Sequence, residues 1–143
     1  MPGIVLTTDL STESQRAFAP ARELAERLNL DITLLAVLED LPYEPVAGNM
    51  MGVYPDRQQL HSDWLKKAKE LAEPLGALCK ETAVLDAADV PNAIVEYAKE
   101  HEADYIVMAT HGRAGLRRLF LGSVAEVVVR HATVPVVLYP PSE

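Results

Sequence analysis

The sequence predicts a single α/β domain built on a doubly wound, five-stranded parallel sheet with helices on both faces. Five short apolar runs, rich in β-branched residues, alternate with four segments in which apolar residues recur at helical spacing. Strands that alternate with helices pair in parallel through right-handed crossovers, which places helices on both faces of the sheet. The 143 residues, 49% of them hydrophobic, fit one compact domain over residues 1–143.

The first strand is predicted over Ile4 to Thr8 and ends at Asp9. Ser11-Thr12-Glu13 then provides a helix start, since hydroxyl and acidic side chains favour that position. The predicted apolar face of this helix consists of Ala17, Phe18, Ala21, Leu24, Ala25 and Leu28. Pro20 lies inside the pattern and lacks a backbone N–H, so we expect it to kink or divide the helix.

The second strand is predicted over Ile32 to Leu38, and a long loop follows it. From Glu39 to Pro55 the chain is rich in proline, glycine, methionine and acidic residues and has no period of either 2 or 3.6 residues. Loops of this length are commonly lids or partner surfaces. A loop without any role is the alternative, and both interpretations stay open.

The second helix is predicted from an apolar face formed by Leu60, Trp64, Ala68, Leu71 and Leu75. Trp64 is assigned to the core rather than to a ligand. The third strand, Leu78 to Leu85, has polar residues at its centre, which predicts a position at the sheet edge. Asp89 and Pro91 then predict the start of a third helix.

A glycine-containing loop joins the fourth strand to the fourth helix. The strand is predicted over Tyr105 to Ala109, and Thr110-His111-Gly112 follows it. Nine residues separate Gly112 from Gly122-Ser123, after which valines recur at helical spacing. Glycines allow close backbone approach, and a helix start offers free N–H groups, so this segment predicts an anion site. A simple turn at Gly112 with an N-cap at Ser123 is the alternative. The last strand is predicted over Pro135 to Tyr139.

In a parallel sheet, ligands bind beyond the carboxyl ends of the strands, where the winding reverses. With five strands, we expect that reversal between the first and fourth strands. It would bring Asp9 and the segment from Thr110 to Gly112 into one crevice, although about a hundred residues separate them in the sequence.

Charge and cysteine content limit the function further. The formal charge of -8 argues against nonspecific binding to nucleic acid or to anionic lipid. The single cysteine, Cys79, excludes an intrachain disulfide and suits a reducing compartment. The N-terminus lacks a basic region followed by an apolar core, and no stretch approaches 18 apolar residues. We therefore expect a soluble, cytoplasmic protein.

Several segments resemble the universal stress protein family. They are TTDLS, the strand ending in Val37, the ATHG-x9-GS run and the VAEVVVRHATVPVVL segment after it, and the similarity covers the whole chain. The resemblance implies the strand order 3-2-1-4-5 and, in nucleotide-binding members, the pattern Gly-x2-Gly-x9-Gly-Ser/Thr. Ala109 replaces the first glycine of that pattern. An extended backbone accepts alanine, so we expect the loop geometry to survive with only a methyl group directed toward the ligand.

The resemblance also implies a binding site for ATP, with or without Mg²⁺. Asp9 and Val37 would contact adenine and ribose, the aspartate through its carboxylate and the valine through its backbone. Met108 and Ala109 would line the sugar, and loop and helix N–H groups would face the phosphates. The residues implied are Thr7, Thr8, Asp9, Val37, Met108, Ala109, His111, Gly112, Arg113, Gly122, Ser123 and Val124. An N-cap for the first helix is the alternative role of Asp9.

No catalytic residue is predicted. The chain lacks GxxxxGK[ST], a Ser-His-Asp signature and a kinase catalytic loop, and no histidine or carboxylate stands at metal-ligand spacing from His111. Positive charge is concentrated in the nine-residue loop at Arg113, Arg117 and Arg118. These side chains are expected either to complement a triphosphate or to form a solvated face. Three functions stay open: an ATP-binding stress or signalling module with little turnover, a nucleotide-independent interaction protein, and a slow ATPase or phosphotransferase.

The last strand is also predicted to form a homodimer. Val134 to Tyr139 is short, apolar and free of lysine, and in the implied order it lies at the edge of the sheet. Such an edge exposes unpaired backbone groups that a second copy can satisfy about a two-fold axis. A cap formed by residues 140–143 or by the long loop is the alternative.

Overall fold

The computed structural model describes residues 3–39, 56–110 and 122–140. The strands are β1 (Gly3–Thr8), β2 (Asp31–Glu39), β3 (Cys79–Ala87), β4 (Tyr105–Ala109) and β5 (Val136–Tyr139). The helices are α1 (Phe18–Leu28), α2 (Arg57–Ala72), α3 (Val90–Glu100) and α4 (Ser123–His131), with 3₁₀ turns at Glu13–Ala17 and Glu73–Leu78. All five predicted strands and all four predicted helices are present. Residues 40–55 of the long loop and residues 111–121 of the glycine loop lie outside the described ranges.

The five strands form one parallel sheet in the order β3-β2-β1-β4-β5. The central strand β1 pairs with β2 on one side and with β4 on the other. The winding therefore reverses between β1 and β4, which confirms the predicted fold class and the position of the reversal.

Helices cover both faces of this sheet because successive strand residues point to opposite sides. On one face, Ile4 and Leu6 of β1 pack in a core cluster with residues of α1 and α2. On the other face, Val5 packs in a second cluster with residues of α3 and α4. Trp64 is half-buried against the first cluster, as predicted.

The helix starts follow local chemistry. The Asp56 carboxylate caps α2 by accepting from the N–H groups of Gln58 and Gln59 at 3.0 and 3.3 Å, and Asp89 caps α3 by accepting from Asn92 N–H at 3.1 Å. The first helical segment is divided, as Pro20 predicted. The chain makes a 3₁₀ turn before α1, so Pro20 falls in the first turn of α1, where a missing N–H is tolerated.

The two edge strands are β3 and β5, as predicted. The ladder between β2 and β3 shifts register between Ile32 and Thr33, which pair with Cys79 and Glu81 and leave Lys80 as the extra residue of a bulge. Within the described parts of the chain, no helix is long and apolar enough to cross a membrane.

Candidate functional site

The strand register brings three distant segments to one level at the carboxyl edge of the sheet. Thr8, the last residue of β1, pairs with Ala36 of β2. On the other side Leu6 pairs with Val107, so two residues further along Thr8 lies beside Ala109. Val37, Asp9 and Thr110 therefore lie side by side at the ends of the adjacent strands β2, β1 and β4. This is the position of the crevice predicted from the reversal.

The second strand extends beyond the first and forms a shelf at this crevice. Pairing between β1 and β2 ends at Thr8 and Ala36, whereas pairing between β2 and β3 continues to Glu39 and Ala87. The extension begins at Val37, whose side chain is buried in the second core cluster. The main chain of this extension pairs with no β1 residue.

A chain of buried hydroxyls shapes the turn after β1. Thr8 and Ser14 are 6% and 3% exposed. The Ser14 hydroxyl donates to the Ser11 carbonyl at 2.8 Å, so the Thr8 hydroxyl donates to Ser14 Oγ at 2.7 Å. Thr8 Oγ1 in turn accepts from Leu10 N–H at 3.0 Å. The Thr8 hydroxyl is thus engaged within the protein and positions the turn.

Asp9 lies at the tip of this turn and is exposed. Its Oδ1 accepts from Ser11 N–H at 2.9 Å, which closes a local turn. Ser11 Oγ accepts from Ser14 N–H at 3.1 Å at the entrance to the 3₁₀ turn, whose N-cap residue is Thr12. The next residue, Leu10, has a φ of 69°, a left-handed conformation that costs a non-glycine residue about 1 kcal/mol or more.

The helix α4 begins at the same carboxyl end of the sheet, because it follows β4 in the chain. Gly122 precedes the helix with φ 95° and ψ 152°, a conformation essentially restricted to glycine. Ser123 is the exposed first residue of α4, and Val124 follows it half-buried. The first N–H groups of this helix have no intrahelical acceptor, so they remain able to bind an anion. His111, Gly112 and Arg113 lie outside the described residues.

The side chains of Met108 and Ala109 point into the core. Met108 is 3% exposed in the cluster with α3 and α4, and Ala109 is 7% exposed in the cluster with α1. Ala109 is a β4 residue with negative φ, so the expectation of an extended backbone holds. Its methyl group packs among core residues instead of pointing toward a ligand.

Sequence reasoning did not identify the contacts that Arg16 and Tyr139 make with Thr110. The Arg16 guanidinium donates to the Thr110 carbonyl at 3.2 Å across 94 positions of sequence. The Thr110 N–H donates to the Tyr139 carbonyl at 2.9 Å. The end of β4 is therefore held from both sides, by the 3₁₀ turn and by β5. The one relevant sequence signal is the three-residue spacing from Ser11 to Ser14, which is typical of a turn closed by serine hydrogen bonds.

A cavity of about 340 Å³ lies at the opposite, amino-terminal end of the strands. It is lined by the starts of β1, β2 and β3 and by His101 and Ala103. Its charged lining is mixed, with the Asp31 and Glu81 carboxylates beside the Lys80 ammonium. In the described residues, no group of three or more His, Cys, Asp or Glu side chains could hold a metal ion.

Comparison with known proteins identifies the relatives of this fold. The family model described as "Universal stress protein family" matches residues 2–140. Universal stress protein MJ0531 of Methanocaldococcus jannaschii is 34% identical over 137 residues, which are 94% of this chain and 79% of the relative.

Two solved structures share the fold. A universal stress protein in complex with cAMP superposes with a TM-score of 0.69 at 26% identity, covering 99% of this chain and 98% of its own. The universal stress protein from Archaeoglobus fulgidus in complex with dAMP gives a TM-score of 0.67 at 22% identity, covering 96% and 97%.

Proposed function

The chain belongs to the universal stress protein family, and on this premise we propose that it binds an adenine nucleotide, ATP, in the crevice between β1 and β4. It acts there as a stress-response or signalling module with little or no turnover. The whole chain is one nucleotide-binding domain in this proposal, and its single cysteine suits the cytoplasm.

The observation that carries the proposal is the step at the carboxyl edge of the sheet, where β2 extends past the end of β1 beside Asp9. An exposed carboxylate next to uncovered main chain offers acceptors and donors to a sugar and a flat base. The start of α4 supplies N–H groups for phosphate, and Gly122 keeps side-chain atoms away from them. A related structure, 26% identical, holds cAMP, which supports an adenine nucleotide as the ligand class.

The roles follow the position of each residue. Asp9 accepts from ribose or from the adenine amine, and the main chain beginning at Val37 reads the base edge. The main chain of Met108 and Ala109 lines the sugar. The N–H groups of Gly122, Ser123 and Val124 and those of His111, Gly112 and Arg113 bind the phosphates, with Mg²⁺ carried by the phosphates. Thr7 and Thr8 are buried and support the crevice from below.

Slow turnover follows from the donor set. Hydrolysis requires a group that activates the attacking water. The sequence has no P-loop lysine, and the proposed contacts are main-chain N–H groups that hold phosphate without transferring protons. A slow ATPase is the competing function, and the discriminating measurement is release of phosphate by the purified protein.

Nondenaturing mass spectrometry of the purified protein tests the proposal, together with titration calorimetry with ATP. We expect an adenine nucleotide that copurifies or binds with micromolar or weaker affinity, because each contact supplies only one or two hydrogen bonds of about 1.5 to 3 kcal/mol. Asp9→Asn should weaken that binding, whereas Asp63→Asn on the exposed surface of α2 is the matched control. A folded protein that binds no adenine nucleotide would favour the nucleotide-independent interaction protein instead.

We also propose a homodimer formed through the edge strand over Val134 to Tyr139. The sheet order places β5 at an edge, and its four residues are half-buried. Pairing with a second copy would satisfy the outward backbone groups of this edge. The signalling partner of such a dimer is a separate protein in this proposal.

A further inference from the structure

Arg16 occupies the carboxyl end of the sheet on the turn that follows Asp9. The 3₁₀ turn Glu13–Ala17 carries it and contacts β1, β4 and β5. Its guanidinium donates one hydrogen bond, at 3.2 Å, to the carbonyl of Thr110. The side chain is half-buried, so this charge sits at the crevice and is only partly hydrated.

The partners of Arg16 differ from those of the other arginines in the described ranges. Arg22, Arg27, Arg57 and Arg130 each lie within 2.7 to 3.6 Å of a carboxylate oxygen. Arg16 contacts a neutral carbonyl and forms no ion pair with the described residues. An anion bound here would supply the counter-charge that the described residues do not provide to this guanidinium. In a chain with 21 acidic residues and a net charge of -8, that missing partner is notable.

We infer that Arg16 is the phosphate-selecting residue of the crevice: it binds the phosphate chain of a nucleoside phosphate while it holds the end of β4 through Thr110. The inference rests on the proposed nucleotide binding and adds the specificity for phosphorylated ligands. A guanidinium presents five N–H donors in a planar fork, so one donor can hold the carbonyl while others bind phosphate oxygens. The helix start at Gly122 and Ser123 supplies neutral donors, and Arg16 supplies the positive charge.

The test compares ATP, AMP and adenosine as probes in titration calorimetry of the full chain. Arg16→Gln removes the charge, and we expect ATP affinity to fall about 10- to 100-fold, the range for a charge-assisted hydrogen bond. The loss should be smaller for AMP and less than about twofold for adenosine, which carries no phosphate. Arg16→Lys keeps the charge without the fork and should recover part of the ATP affinity.

Arg22→Gln is the matched control, because Arg22 also donates to a distant main-chain carbonyl, that of Pro74 at 2.9 Å. It should leave the affinity for all three probes unchanged. Equal losses for ATP and adenosine in Arg16→Gln would show a structural role and overturn the inference, as would an unchanged ATP affinity.

If Arg16→Gln fails to fold, the ratio of ATP to adenosine affinity in Arg16→Lys decides, since only a phosphate contact lowers that ratio. A wild-type protein that binds ATP no more tightly than adenosine overturns this inference alone, whereas one that binds no adenine nucleotide overturns the proposed function and this inference with it.

Discussion

Gly122 adopts φ 95° and ψ 152° at the start of α4, where any side chain strains the backbone. Gly122→Ala should cost about 1 to 3 kcal/mol of folding free energy. It should also lower ATP affinity at least about tenfold, because relief of the strain moves the N–H groups of the helix start. Calorimetry with ATP and thermal unfolding measure the two effects.

Gly76 provides the control for Gly122. It has a φ of 60°, and a Cβ added there would meet no atom within 4 Å. Gly76→Ala should therefore be destabilising through its backbone alone and leave ATP affinity unchanged. An unaltered ATP affinity in folded Gly122→Ala would contradict the role given to this helix start.

Ala109 replaces the first glycine of the family pattern, and its methyl group is buried in the core. Ala109→Gly should leave ATP affinity within about twofold, because no side-chain atom is removed from the crevice. The same change should reduce stability by about 0.5 to 1 kcal/mol or more, through lost packing and greater freedom of the unfolded chain. Ala83→Gly, on edge strand β3, is the comparison for stability. A clear rise in ATP affinity in Ala109→Gly would show that the methyl group does reach the ligand.

At the scale of elements, α3 carries a tyrosine whose ionisation is coupled to folding. Tyr97 is 7% exposed, and its ring stacks on the His101 ring with 3.8 Å between the ring centroids. Burial, and to a lesser extent the negative charge of Glu81, raises the pKa of Tyr97 above 10.0. The folded protein therefore retains this phenol proton at a pH where the unfolded chain has lost it. Its contribution to stability is complete below about pH 10 and is lost as the pH rises through the folded pKa.

Chemical unfolding between about pH 8 and pH 11 measures this effect. The free energy of unfolding should fall with rising pH in the wild type and fall less steeply in Tyr97→Phe. Tyr105→Phe is the matched control for loss of a phenol on a packed element. Identical slopes for Tyr97→Phe and the wild type would refute the coupling.

At the scale of the whole molecule, the proposed dimer forms through the outer edge of β5. The carbonyls of Pro135 and Tyr139 accept at 2.9 Å from the N–H groups of Ile106 in β4 and of Thr110 just after it, so alternate residues of the strand face β4. Val136 and Leu138 consequently direct their backbone groups outward, to the open edge. Val136→Pro removes one outward donor and should shift sedimentation from the dimer mass to the monomer mass while the fold is kept.

Val137→Pro is the contrasting variant, because Val137 faces β4 and the change would remove a hydrogen bond inside the sheet. It should lower the thermal stability of the domain itself. Wild-type protein that sediments as a monomer at high micromolar concentration would exclude the dimer and favour a cap over the edge.

The sequence alone determined the elements, their order and the ends of the strands at the crevice. It could do so because periodicity and capping are local: the apolar runs ending at Asp9 and Thr110 mark strands, and Asp89 with Pro91 marks a helix start. The strand order came from resemblance to a family, and the structure confirms it. The same resemblance named the candidate site residues, but it did not predict the directions of their side chains.

Tertiary structure decided the contacts that depend on packing between distant segments. The burial of the Ala109 methyl, the extension of β2 past β1 and the bond from Arg16 to Thr110 all require the relative register of elements far apart in sequence. The period-2 pattern of a strand decides which face each side chain takes, but it does not decide which strand lies beside it or how far that neighbour extends. The hydroxyl chain from Thr8 to Ser14 shows the same limit over six residues, since only the folded turn brings the two oxygens to 2.7 Å.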